Sequence, residues 1–311
     1  MKEVILLTGG TGFVGGHLLA LLQKTHPQAE FHLTAHRQRE SSASVNIHTL
    51  NLDDATAFSQ LLQKINPTHI YHLAAIANVA LSFQQPATVV ENNFRLTLNL
   101  LETARKLKNP PKILLISSSD LYAPSSQPLS ELSLVKPGSP YAASKVMQDA
   151  LGVSYAKSFA LPVIIARPFN HIGPGQKPGF VVADFVQMIV EAEKKQQPGE
   201  LLVGNLSSAR DFTDVRDVVA AYELLMNKGQ PGEIYNIGSG RPMVIEEILQ
   251  QLVALAKVPL QIKVDQQKFR PVDVPVVTAD CRKLQALGWQ PSIPLADTLA
   301  HTLEAARHSQ H

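Results

Sequence analysis

Along the first two thirds of the chain, short apolar runs alternate with longer stretches whose apolar residues recur every three or four positions. The runs at 4–7, 30–35, 45–50, 70–73, 112–117 and 161–167 predict strands, and the stretches at 12–24, 54–65, 88–107 and 141–159 predict helices. Strand and helix in strict succession is the rhythm of crossover units. It predicts an α/β fold with a Rossmann-type, doubly wound parallel sheet buried on both faces.

After Arg167 the rhythm loosens. Gly, Pro and Asn gather between Pro168 and Gly175, and the later elements are shorter: helices at 180–195, 215–226, 245–256 and 295–306, strands at 201–203 and 234–236. The larger unit is therefore expected over 1–168, with some later segments able to rejoin it. A smaller, mixed α/β C-terminal lobe is expected over 169–311. A cleft between them is where ligands of open sheets bind.

Composition narrows the classes without naming a ligand. The chain has 311 residues, 28 basic and 26 acidic groups, a net charge of +2 and one cysteine. That balance does not suit a surface built to neutralise nucleic acid. A lone Cys281 permits no internal disulfide and no cysteine-rich zinc site. No apolar stretch approaches the ~18 to 20 residues of a membrane span. Glu3 and the glycines from Gly9 onward cut the N-terminal apolar run to Val4–Leu7, too short for an export signal, so a cytoplasmic protein is expected.

Candidate chemistry begins where the first strand meets the first helix. Gly10, Gly12 and Gly15 satisfy G-x-G-x-x-G, and Gly9, Gly12 and Gly15 satisfy the wider G-x-x-G-x-x-G spacing. Glycines there allow a tight turn and bring backbone N–H groups and the helix N-terminus against a pyrophosphate. An acidic residue ending the second strand would hold the ribose hydroxyls of NAD(H). Here that strand ends in His36-Arg37-Gln38-Arg39. Arginine suits a 2′-phosphate, so NADP(H) is favoured with NAD(H) as the alternative, Arg37 as first partner and Arg39 as second.

A second constellation lies downstream. Ser139-Pro140 reads as the cap and first position of a helix, and places Tyr141 and Lys145 one turn apart on one face. A lysine ammonium and a cationic nicotinamide would draw the phenol's pKa down toward the working range. Upstream, Ser117, Ser118 and Ser119 follow the strand at 112–117, where a hydroxyl can hydrogen-bond a developing alkoxide. Metal binding has no such support. His32 and His36 stand four apart on a strand, about 13 Å from one another, so no metal site is expected.

On these residues the chain resembles the extended short-chain dehydrogenases/reductases that act on nucleotide sugars. The resemblance also rests on His72-Leu73-Ala74-Ala75, Asn93, Asn99-Leu100-Leu101-Glu102, Tyr122, Arg167 to Asn170, Arg210 to Val215, and Leu287 to Pro291. It implies that Ser118, Tyr141 and Lys145 are catalytic. It implies that Gly9, Gly12, Phe13, Val14, Gly15, Leu73, Ala74 and Ala75 meet the cofactor, with Asn51 and Leu52 at its adenine; asparagine stands at 51 where the family usually has aspartate. Ser119, Asp120, Asn170, Val203, Arg210 and Arg270 are implied at a nucleotide-sugar substrate, two arginines being able to clamp a pyrophosphate. A homodimer through the helices at 88–107 and 141–159 is implied as well.

The stretches at 169–176, 203–206 and 269–275 are most similar to the branch that reduces GDP-4-dehydro-6-deoxy-D-mannose at C4 to GDP-D-rhamnose. Three rivals stand beside it. A GDP-mannose 4,6-dehydratase would use an acidic residue at Asp120, but aspartate is one methylene shorter than the usual glutamate and the expected arginine-rich insert is missing. A 4-epimerase would keep NAD bound. An idle NADP-binding sensor would discard the catalytic trio.

Overall fold

The computed structural model describes residues 2–268 and 275–308. Strand β1 (Val4–Thr8) runs into α1 (Phe13–Thr25), followed by β2 (Glu30–Ala35), β3 (Val45–Thr49), α2 (Ala55–Ile65), β4 (His69–His72), α3 (Val79–Gln84), α4 (Pro86–Ala104) and β5 (Lys112–Ile116). A 3-10 turn (Ser119–Leu121) precedes α5 (Pro140–Phe159), β6 (Val163–Pro168) and β7 (Asn170–Ile172). Then come α6 (Val181–Lys195), β8 (Gly199–Val203), β9 (Ala209–Asp214), α7 (Val215–Lys228), β10 (Ile234–Ile237), β11 (Pro242–Val244) and α8 (Ile245–Ala254). Strands β12 (Leu260–Val264) and β13 (Val276–Val277) and helices α9 (Arg282–Gln285) and α10 (Leu295–His308) complete the order.

Local chemistry sets several helix starts. The Asp54 carboxylate accepts the N–H groups of Thr56 and Ala57, both at 3.0 Å, and opens α2. Ser139 accepts the Ala142 N–H at 3.1 Å with Pro140 at the first helical position, so α5 begins where its sequence predicts. Asp214 does the same for α7 through the Arg216 N–H at 2.7 Å. Each such cap is worth about 1 kcal/mol.

Seven strands form the central sheet in the order β10-β6-β5-β4-β1-β2-β3, every neighbouring pair parallel. All six residues of β6 are buried, as a strand covered on both faces must be. One face is covered by α1 and α7, whose Leu18, Leu22, Val218 and Leu225 join the core of Ile5, Leu7 and Leu114. The other is covered by α2, α4 and α5 through Phe58, Leu62, Leu100 and Tyr155.

The later part of the chain holds more than its sequence pattern predicts, with β7, β9, β11, β12, β13 and α9 added. The helix over 215–226 and the strand over 234–236 both form, but they complete the large sheet instead of the second lobe. Ile234 lies opposite Ile165 and Asn236 opposite Arg167, so β10 closes the open edge of β6. The second lobe is built around β9, which pairs antiparallel with β11 and parallel with β7 and β13, beside the β8–β12 pair. Its core joins Phe185, Ile189, Leu201, Phe212, Leu249 and Leu299. No helix among the described residues is long and apolar enough to cross a membrane.

Candidate active site

All strands of the large sheet end at one edge, and the loops after β1, β4 and β5 meet there. Gly9 has φ +67°, and a Cβ on it would lie 2.9 Å from the Ala74 backbone nitrogen. A Cβ on Gly15 would fall 2.5 Å from the Gly10 carbonyl oxygen. The loop is tied by Gly9 N–H to Thr34 Oγ1 (3.2 Å) and by Gly12 N–H to the Gly9 carbonyl (3.0 Å). At the start of α1 no side chain caps the helix and no acidic residue stands in the first turn, leaving the N–H groups of Phe13, Val14 and Gly15 for an anion. This glycine cradle fits a pyrophosphate, since side chains would fill it. Leu73 donates to the Thr8 carbonyl at 3.1 Å, which sets Leu73, Ala74 and Ala75 beside the cradle.

Phe13 brings in two residues that motif reading missed. Its ring stacks on His171 (centroids 6.3 Å apart) and meets His17 edge-on at 5.5 Å, while His17 Nε2 bonds the Pro174 carbonyl at 2.8 Å. The phosphate loop is thereby joined to the segment that follows β7. Beyond β2, Arg37 and Arg39 are exposed. Asn51 is exposed too, with Oδ1 accepting the Asp53 N–H at 3.1 Å, whereas Leu52 is buried. Asn99 of α4 donates to the carbonyls of Leu52 (3.0 Å) and Asp53 (3.1 Å) and fixes that segment.

The hydroxyl and amine groups converge after β5. Ser118 caps the 3-10 turn by accepting the Asp120 N–H at 3.1 Å, and its hydroxyl lies close enough to Tyr141 to act on the phenol. Burial pushes the Tyr141 phenol well above its ordinary value, the Asp120 carboxylate adds to that, and the nearby Ser118 hydroxyl opposes it. The expected downward pull on the phenol is therefore not the protein's own doing: desolvation dominates, and Lys145 Nζ sits 5.9 Å from the tyrosine ring centre. Lys145 is itself buried, which lowers its ammonium to about 8, while Asp149 opposes the shift. Its Nζ donates to the Ile116 carbonyl (2.6 Å) and to Gln148 Oε1 (2.8 Å).

A buried polar network holds this corner. Arg167 Nε meets Asp149 Oδ2 at 2.7 Å and its Nη1 donates to the Tyr122 hydroxyl at 2.8 Å; Tyr122 in turn donates to Asn236 Oδ1 at 2.7 Å. On α4, Asn93 donates to Ser144 Oγ (3.0 Å) and pairs with both backbone groups of Ile76, linking the β4 loop to α5. Under the cradle, His72 bonds Thr8 Oγ1 at 2.8 Å, and full burial, with Lys145 nearby, lowers it to about 3.

The substrate side is more dispersed. Asn170 is exposed at the start of β7, which pairs with β9, the strand of Arg210. Arg210 is half-buried and donates to the Ala209 carbonyl at 2.9 Å. Ser119 is buried and Asp120 exposed. Val203 turns its side chain into the second-lobe core at 2% exposure, and its carbonyl accepts the Asp265 N–H at 2.8 Å. Strand alternation explains this, because Leu202 takes the outward position. Arg270 lies outside the described residues. Among the described residues no group of three or more His, Cys, Asp or Glu is placed to hold a metal ion. His32 instead bonds His48 at 2.8 Å and Glu30 at 2.9 Å.

Sheet order, glycine cradle and the Ser118, Tyr141, Lys145 corner are together those of an extended short-chain dehydrogenase/reductase. The chain belongs, more narrowly, to the family described as GDP-mannose 4,6 dehydratase, whose sequence model matches residues 6–302. It is 33% identical over 303 residues to the GDP-6-deoxy-D-mannose reductase of Pseudomonas aeruginosa, covering 96% of this chain and 95% of that protein. It is 27% identical to the human dTDP-D-glucose 4,6-dehydratase over 99% and 91% of the two chains. Among solved structures, RMD from Pseudomonas aeruginosa complexed with NADPH superposes with a TM-score of 0.86 at 31% identity, covering 99% of this chain and all of that one. UDP-glucose 4-epimerase from Thermotoga maritima with UDP-glucose gives 0.87 at 26% identity and the same coverage.

Proposed function

We propose that this chain is a nucleotide-sugar reductase that uses NADPH to reduce the C4 keto group of GDP-4-dehydro-6-deoxy-D-mannose, forming GDP-D-rhamnose. The observation that carries the reading is a phenol kept protonated: Tyr141 is buried close to Ser118 and held well above its ordinary pKa. That is the state a reductase needs, because the carbonyl oxygen must receive a proton. The likeness to the Pseudomonas reductase supports the substrate class, and that to the NADPH-bound RMD structure supports the cofactor.

In this reading Gly9, Gly12 and Gly15, with the free N–H groups of Phe13 and Val14, take the cofactor pyrophosphate. Arg37 takes the 2′-phosphate, Asn51 and Leu52 the adenine, and Leu73 to Ala75 the nicotinamide side. NADPH, when bound, supplies the hydride. Tyr141 Oη gives its proton to the C4 oxygen while Ser118 Oγ donates a hydrogen bond to it, and Lys145 holds the nicotinamide ribose. Ser119, Asp120, Asn170 and Arg210 face the sugar and its diphosphate, charge-assisted bonds being the strong ones available.

One observation favours a dehydratase: the Asp120 charge acts on Tyr141, near where elimination would need an acid or base. Incubation with GDP-mannose alone decides between them. The reductase leaves it unchanged and oxidises NADPH only when the 4-keto sugar is added; release of a keto sugar from GDP-mannose would sink the proposal. Pairing of two copies through α4 and α5 belongs to the same reading, supported by exposed Phe159 with Arg105 over its ring at 4.9 Å. Sedimentation velocity is expected to give a species of twice the chain mass.

A further inference from the structure

Lys145 ends in a closed circuit of three hydrogen bonds. Its Nζ donates to the Ile116 carbonyl (2.6 Å) and to Gln148 Oε1 (2.8 Å), and Gln148 Nε2 donates back to the same carbonyl at 3.1 Å. Both side chains are buried, at 3% and 2% exposure. Tyr141, Lys145 and Gln148 stand four and then three residues apart, so they share one face of α5. The carbonyl gives both lone pairs, and the amide satisfies a donor and an acceptor that burial would otherwise leave costly.

A lysine stem has four rotatable bonds and its ammonium has three donors. Among the described residues, two of those donors are taken by Ile116 and Gln148, so the third is left with a defined direction. From this circuit we infer that Gln148 is a positioning residue for the reaction: it aims the remaining N–H of Lys145 at the cofactor and helps keep the amine charged. The inference rests on the proposed role of Lys145 in holding the nicotinamide ribose.

The charged and titratable groups around the amine come from four elements. Tyr141 and Asp149 lie on α5 itself, His72 on β4, Arg167 on β6 against Asp149, and Asp120 in the turn after β5. None of them occupies the place of Gln148, whose neutral amide accepts from the ammonium at hydrogen-bond distance. Removing that acceptor disfavours the charged amine, and replacing it with a carboxylate favours it.

The test is NADPH affinity by fluorescence titration from pH 6 to 10 for the wild type, Gln148→Met and Gln148→Glu. Wild-type affinity is expected to weaken on the alkaline side as Lys145 loses its proton. The midpoint of that weakening should fall by about one pH unit in Gln148→Met and rise by about as much in Gln148→Glu. Displacement in opposite directions is something a merely structural glutamine would not produce. If Gln148→Met does not fold, the upward move in Gln148→Glu carries the test alone. A wild type with an alkaline limb whose variants keep its midpoint, or move it the same way, overturns the role of Gln148 only. A wild type with no alkaline limb overturns the role of Lys145, and this inference with it. Neither result depends on which carbonyl the enzyme reduces.

Discussion

The two halves of the cleft are built differently. On the proposed cofactor side the working parts are backbone groups after β1 and buried side chains on α5: Gly9 and Gly15 are pressed against backbone, and Tyr141 and Lys145 lie beneath the surface. On the proposed substrate side, exposed Asn170 and half-buried Arg210 stand on two short strands, β7 and β9, that pair side by side. The first half is preorganised by packing, and its chemistry is set by desolvation. The second presents polar groups nearer the surface, which suits a partner that must enter and leave at each turnover.

The largest break between the halves is expected from Tyr141→Phe, which keeps the shape of the cofactor side and removes its proton. Turnover should fall about a hundred- to ten-thousandfold while NADPH affinity stays within roughly threefold. Stopped-flow NADPH oxidation and fluorescence titration check both. Next, Asn170→Ala and Arg210→Met should each raise KM for the nucleotide sugar roughly ten- to a hundredfold, the worth of one hydrogen bond to a charged group, and leave the NADPH Kd unchanged. A parallel loss of NADPH binding would erase the division of labour. A smaller effect is expected from Arg37→Ala: about a tenfold loss of NADPH affinity with NADH affinity unaltered, read from paired titrations.

A different kind of effect, on stability instead of binding, is a signature of burial in the proposed cofactor side. Folded His72 resists protonation down to about pH 3, whereas an unfolded histidine takes its proton near 6.5. Above that value the group costs nothing. As pH falls from 6.5 toward 3 the unfolded chain alone gains a proton, so stability drops by about 1.4 kcal/mol per pH unit from this residue. Burial lowers His32, His48 and His69 as well, and they add slope of the same sign. Urea melts between pH 7 and 4.5 should give His72→Gln a shallower acid slope than the wild type, and equal slopes would contradict a buried neutral imidazole.

This contrast also separates what could be read from residues in order. The phosphate loop was legible because its geometry demands glycine, and demand for one residue type leaves a local mark. The start of α5 was legible for the same reason, through Ser139 and Pro140. Parts that depend on distant pairing left no such mark. Ile-Tyr-Asn-Ile at 234–237 makes an equally good strand in either lobe, and only its match to Ile165 through Pro168 decides. The His32–His48 bond needs the register of β2 on β3, and Val203 looked inward because β8 alternates around Leu202. Gln148 was hidden differently: an amide on a helix face is ordinary until burial makes its two hydrogen bonds obligatory. The sign of the Tyr141 shift could not be read from Lys145 four residues on, since burial outweighs proximity.

The return of β10 to the large sheet has a consequence for the order of synthesis. The β6 edge emerges from the ribosome with no partner, and that partner is made only after the chain has produced β7, α6, β8, β9 and α7. At 5–20 residues per second the interval is on the order of several seconds. During it a strand that is wholly buried in the finished fold stands open beside other nascent chains, the kind of edge that invites wrong pairing. A chain released before residue 234 keeps that edge for good, however complete its nucleotide loop.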